Sequence, residues 1–182
     1  MKIHNKVVQG KAFTVIHTRA KILTAGLLAA VGIDTARSAS LTWDPAMSGG
    51  SGGGGTWDLN STANWWDGAS DVTWKDNSSN GTNSALFSNS AGTVTLNTSL
   101  SASNLQFTVA GYTLSGSGTL TLGRGGIDAS TVSSGTTTIG IPLSLSAAQQ
   151  PWRVGGGSTL AINGAVSLAT GATVDFPSSG VT

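Results

Sequence analysis

Gly116-Ser117-Gly118-Thr119-Leu120-Thr121-Leu122-Gly123 decides the architecture of this chain. Leucine alternates with threonine, and small flexible residues close both sides. Alternation of period two with β-branched partners and Gly/Ser punctuation is the pattern of a short, half-buried strand. The octet is echoed by Gly155-Gly156-Gly157-Ser158-Thr159-Leu160-Ala161-Ile162-Asn163, forty positions later when Leu120 is set on Leu160. Weaker echoes occur at Ala102-Ser103-Asn104-Leu105-Gln106-Phe107 and Gly164-Ala165-Val166-Ser167-Leu168. Self-similarity at tens of residues points to stacked units, none of which buries its apolar face alone.

The same texture extends outward from residue 82 to the end of the chain. Apolar residues alternate with Ser or Thr at Val94-Leu96, Leu105-Phe107-Val109, Ile139-Ile141-Leu143-Leu145 and Val174-Phe176. No window shows a helical period, and the charges are only Arg124, Asp128, Arg153 and Asp175. An all-β fold follows, expected as a right-handed parallel β-helix over residues 82–182. An antiparallel β-sandwich uses the same alternation and is the alternative.

A stack of coils needs covered ends, because an open coil presents unpaired N–H and C=O groups. Residues 41–81 hold Trp43, Trp57, Trp65, Trp66 and Trp74 and are expected to form the N-terminal cap. The run Gly49-Gly50-Ser51-Gly52-Gly53-Gly54-Gly55 is expected to be a flexible loop. It is no phosphate cradle, since no Lys-Ser/Thr follows it. At the other end the texture runs into Thr173-Val174-Asp175-Phe176-Pro177 without a closing segment, which implies a longer array; Pro177 is only a modest edge blocker.

Residues 1–40 differ in kind. Lys2, Lys6, Lys11, Arg19 and Lys21 precede the apolar run Ile22–Ile33, and Ala36-Arg37-Ser38-Ala39-Ser40 supplies small residues after it. This is the layout of a secretory signal peptide, cleaved after Ser38 or Ser40; an uncleaved signal anchor is the alternative. Six of the nine basic residues and one of the eight acids lie in this leader. The remainder carries Lys75, Arg124 and Arg153 against seven Asp, a net charge of −4. Such a surface argues against nucleic acid and anionic membranes as partners, which need clustered cations. Both histidines, His4 and His17, fall in the leader, and the chain has no Cys and no Glu. Little of the usual acid–base, thiol and metal chemistry remains, and stability rests on the fold without disulfides.

Leu41-Thr42-Trp43-Asp44, Thr56-Trp57-Asp58, Ala63-Asn64-Trp65-Trp66-Asp67 and Ala85-Leu86-Phe87 make a recognisable set. With Val94-Thr95-Leu96, Asn104-Leu105-Gln106-Phe107, Gly111-Tyr112-Thr113-Leu114-Ser115-Gly116 and Leu120-Thr121-Leu122, it resembles the bacterial autotransporter-associated β-strand repeat proteins. The resemblance covers about residues 41–127. It implies an exported passenger-type protein at the cell surface or outer membrane of a Gram-negative-type bacterium, with surface glycans or other surface proteins as partners. Members commonly end in an outer-membrane barrel or a sorting anchor, and this sequence carries neither pattern, so its membrane association is expected only through export or such an anchor. The family supplies no shared catalytic residues.

Three functional readings compete. The first is a non-enzymatic structural or adhesive element without cofactor or metal. The second is a carbohydrate-binding module in which Trp57, Trp65, Trp66 and Trp74, with Asp67, present a platform to sugar rings; the same tryptophans equally suit a buried plug. The third is a polysaccharide-degrading enzyme. A carboxylate pair from Asp67 and Asp71 is too local in sequence for glycosidase geometry; Arg124 and Arg153 are compatible with neighbouring coils that hold an acidic glycan, although each reads more simply as a solvated turn residue. Asp58-Leu59-Asn60-Ser61-Thr62-Ala63-Asn64 places oxygens at alternating positions but lacks the glycine and closing Glu of a calcium loop, and Asx turns explain it.

Overall fold

The computed structural model describes residues 39–76, 83–146 and 149–177. Residues 1–38 of the leader lie outside them. Four strands form the N-terminal region: β1 (Ser40–Trp43), β2 (Gly55–Thr56), β3 (Trp65–Trp66) and β4 (Asp71–Val72). The coils continue with β5 (Ser84–Phe87), β6 (Thr93–Thr95), β7 (Leu100–Phe107) and β8 (Thr113–Ser115). Next come β9 (Leu120–Ala129), β10 (Gly135–Ile139), β11 (Leu143–Leu145) and β12 (Gln149–Val154). The last three are β13 (Ser158–Ile162), β14 (Val166–Leu168) and β15 (Thr173–Asp175).

Pairing turns these strands into a parallel β-solenoid. One flank stacks β2, β6, β8, β10 and β13, all parallel. A second stacks the first halves of β7 and β9 on β11 and β14. The third stacks β1, β5, the second halves of β7 and β9, and β12, with β15 on its far edge. β7 serves two flanks because its register against β9 shifts between Ala102 and Asn104. Parallel ladders throughout the repeat region replace the sandwich alternative, whose pairing is antiparallel.

Inward residues stand over one another in columns, such as Leu100–Leu120–Leu143–Val166. Successive coils along that column consume 20, 23 and 23 residues. The expected offset of forty between Leu120 and Leu160 is therefore corrected: Leu120 stands on Leu143, while Leu160 belongs to another flank, paired with Thr137. Every flank has the same apolar beat, so sequence echoes match one flank to another as readily as one coil to the next. The weaker echo at Val166-Ser167-Leu168 is the true register, two coils below Leu120-Thr121-Leu122.

The interior is narrow and continuous. Leu41, Ala85, Leu105, Ile127 and Trp152 form one buried column, and Phe87 lies on Phe107 with ring centroids 5.0 Å apart and planes 15° from parallel. That separation approaches the roughly 4.8 Å between neighbouring strands, so a ladder of identical residues stacks without rotamer strain. Each such side chain contributes about 1.5–3 kcal/mol through burial.

Above the first coil the chain reverses. β3 pairs antiparallel with β1, and β4 antiparallel with β3. This hairpin brings Trp65 and Trp74 over the interior beside Trp43 and Trp57. The four are 0–1% exposed, and edge-on or tilted contacts with centroids 4.6–5.1 Å apart join them. A Trp-rich cap thus closes the N-terminal end, as expected. Coiling begins inside the cap segment, since β1 and β2 are already rungs of the stack. Among the described residues no strand pairs with the first half of β7 on its N-terminal side; there the Asp76 carboxylate accepts from the Ser101 N–H (3.0 and 3.2 Å) and the Trp74 Nε1–H donates to the Ser101 carbonyl (3.1 Å). Two side chains thereby satisfy backbone groups of Ser101.

Candidate functional site

Around the cap, the acids and glycines organise one another. The Asp44 carboxylate is buried and accepts five hydrogen bonds: from the N–H groups of Ser48 (2.8 Å), Gly49 (2.7 Å), Gly50 (2.7 Å) and Ser51 (3.2 Å), and from Ser51 Oγ (2.9 Å). The glycine run is thus a nest for the chain's own carboxylate, and the flexible loop expected there is replaced by a fixed wrap. Gly49 and Gly50, at φ of 85° and 87°, adopt the left-handed conformation that turns consecutive N–H groups onto one acceptor. Burial alone pushes the Asp44 carboxyl up, but the donors of Gly50, Ser51 and Ser48 outweigh it and lower the pKa to about 2.

Asp71 behaves oppositely. Burial raises its carboxyl, and the adjacent Asp44 and then Asp67 raise it further. Its Oδ1 is buried without a hydrogen-bond partner. Asp44 thus outweighs Asp67 as the acidic neighbour of Asp71, and the oxygens of Asp44 are already taken by donors.

Of the residues weighed as a sugar platform, Trp57, Trp65 and Trp74 are 0–1% exposed and face the interior, so no ring face is free to stack on a sugar. Their burial follows from strand alternation: Trp65 points in and Trp66 points out along β3. Trp66 is half-buried beside Gly50, and Asp67 is exposed. The Asp67 carboxylate accepts from the N–H groups of Ser70 and Ala69, both at 2.8 Å, in an Asx turn that lowers its pKa. Asp58 likewise accepts from Thr62 N–H (2.8 Å) and Thr62 Oγ1 (2.5 Å), the local turn expected for that segment. No group of three or more His, Cys, Asp or Glu among the described residues is placed to hold a metal ion.

The structure does bring Arg124 and Arg153 together. They line a surface groove of about 540 Å³ with Gln149, Pro151 and Asp175. Arg124 sits where β9 turns from the second flank to the third, and Arg153 lies one coil further on, opposite Asp128. Gly126, at φ 62°, lies so close to the Pro151 backbone that a Cβ there would stand 2.0 Å from the Pro151 carbonyl oxygen. Among the described residues no ion pair joins Asp128 to Arg153; the Asp128 Oδ1 accepts from Ser130 N–H (2.9 Å) and Ser130 Oγ (2.6 Å).

The geometry defines the class as a capped parallel β-solenoid. Comparison with protein-family models, with curated proteins and with solved structures finds no match. Among the described residues no helix is long and apolar enough to cross a membrane.

Proposed function

We propose that the protein is an exported, non-enzymatic β-solenoid that acts as a structural or adhesive element at the surface of a Gram-negative-type bacterium, akin to the passengers of autotransporter-associated repeat proteins. The observation that carries this reading is the division of labour within each coil. Inward positions form mainly apolar columns, interrupted by the buried Thr137 and Gln150, while outward positions such as Ser101, Thr121, Ser144 and Ser167 line up as a short polar ladder. Such a stack holds its surface rigid and spreads it over successive coils, which suits display. The leader of residues 1–40 supplies the export signal, and the weak acidity of the remainder suits a solvent-facing element.

The test is to express the full chain in a Gram-negative host and treat intact cells with protease. Surface cleavage and a heat-resistant β-sheet circular dichroism spectrum are expected. Retention in the cytosol, or a helical spectrum, overturns the reading.

A further inference from the structure

We infer that the groove between Arg124 and Arg153 binds a uronate residue of an acidic glycan. The assignment stands on the groove itself and does not depend on where the protein is displayed.

Three observations converge. First, these are two of the three cations outside the leader, and both line a single recess. Like charges brought together on a charge-poor surface repel, and an anion between them offsets that cost. Second, neither guanidinium is occupied: among the described residues no hydrogen bond or ion pair engages Arg124 or Arg153, although Asp128 stands opposite Arg153 in the ladder. Each guanidinium keeps a planar fork of donors suited to a carboxylate.

Third, the remaining lining selects among anions. Asp175 and Gln149 border the same recess, so it carries two positive charges and one negative, with one amide. A compact dianion such as sulfate meets repulsion from Asp175. A uronate offers one carboxylate to the arginines, while its ring hydroxyls donate to Asp175 and exchange hydrogen bonds with Gln149. Pro151 provides an apolar floor for the sugar's C–H face. Arg124 and Arg153 are both exposed, so substituting them leaves the columns intact.

The experiment is calorimetric titration of the purified full chain with trigalacturonate, with maltotriose and sodium sulfate as comparisons. Saturable binding of trigalacturonate is expected, weaker at higher salt. Binding should fall about tenfold in Arg124→Ala and again in Arg153→Ala, each losing one charge-assisted contact. Maltotriose and sulfate should bind at least about tenfold more weakly than trigalacturonate. Asp175→Asn should narrow the preference for trigalacturonate over sulfate. The inference is overturned by absence of trigalacturonate binding, by equal affinity in both arginine variants, or by sulfate or maltotriose matching trigalacturonate. Thermal melts unchanged from the parent establish that the variants are folded.

Discussion

The first and the last described coils of the solenoid exclude water to different degrees. At the N-terminal end Trp43, Trp57 and Trp74 are 0% exposed; in the last described coil Val166 is 38%, Leu168 50% and Phe176 68% exposed. Both coils have the same strand pattern, so alternation alone does not exclude water. What differs is the covering layer. The β3–β4 hairpin and the Asp76–Ser101 contact satisfy the first coil's edge, whereas β14 is exposed at all three of its positions. An apolar column stabilises a solenoid only where something lies above and below it.

The contrast makes its sharpest claim at the tryptophans. Trp57→Ala removes a ring that touches Trp65, Trp74 and Phe87, and should cost about 3–5 kcal/mol. Phe176→Ala, in the last described coil, should cost less than about 1 kcal/mol. Urea denaturation of both variants checks this, and equal losses would erase the distinction between the two coils.

A smaller effect belongs to the carboxylate nest. Asp44→Ala strands the buried N–H of Gly50 and the part-buried ones of Ser48, Gly49 and Ser51, and should cost about 1–3 kcal/mol at pH 7. Because the folded-state pKa of about 2 lies below the ordinary 3.8, the Asp44 contribution is full above about pH 4 and disappears as pH falls through 2. The stability gap between parent and variant, measured by denaturation across that range, should narrow accordingly. A gap of constant size would show that the nest is held by something other than charge.

The smallest effect has the opposite sign. The folded-state carboxyl of Asp71 titrates above its ordinary value, so its ionised form opposes folding at neutral pH. Asp71→Asn should therefore raise the melting temperature at pH 7. The gain should vanish below the ordinary value of 3.8, where the parent's carboxyl is neutral both folded and unfolded. A lower melting temperature at pH 7 would mean that Asp71 supports the cap instead of straining it.

Much of this architecture was legible from residues. The run Ile139-Ile141-Leu143-Leu145 announced buried alternation, and all four residues are at most 1% exposed. The concentration of tryptophan in residues 41–81 announced the cap. The register was not legible, because Leu120 and Leu160 have similar neighbours and only hydrogen bonding distinguishes a coil from a flank. Nor was the burial of Trp57 separable from the exposure of Asp67, since both stand in short irregular segments without a long alternating run. The nest left one usable trace: an acid, Asp44, four to seven residues before the donors of a Ser/Gly run. The residues of the sequence allowed Arg124 and Arg153 to stand on neighbouring coils but favoured two solvated turn residues, and only the register brings both to one recess.

The unequal coil lengths have a consequence for how such a molecule can vary. Leu100 to Leu120 takes 20 residues, whereas Leu114 to Ile139 takes 25, yet every column stays aligned. The surplus is absorbed at the corners, leaving the ladders undisturbed. Corners of this kind are ports where extra sequence can be spliced in, so the outline of the rod is editable while its spine is not.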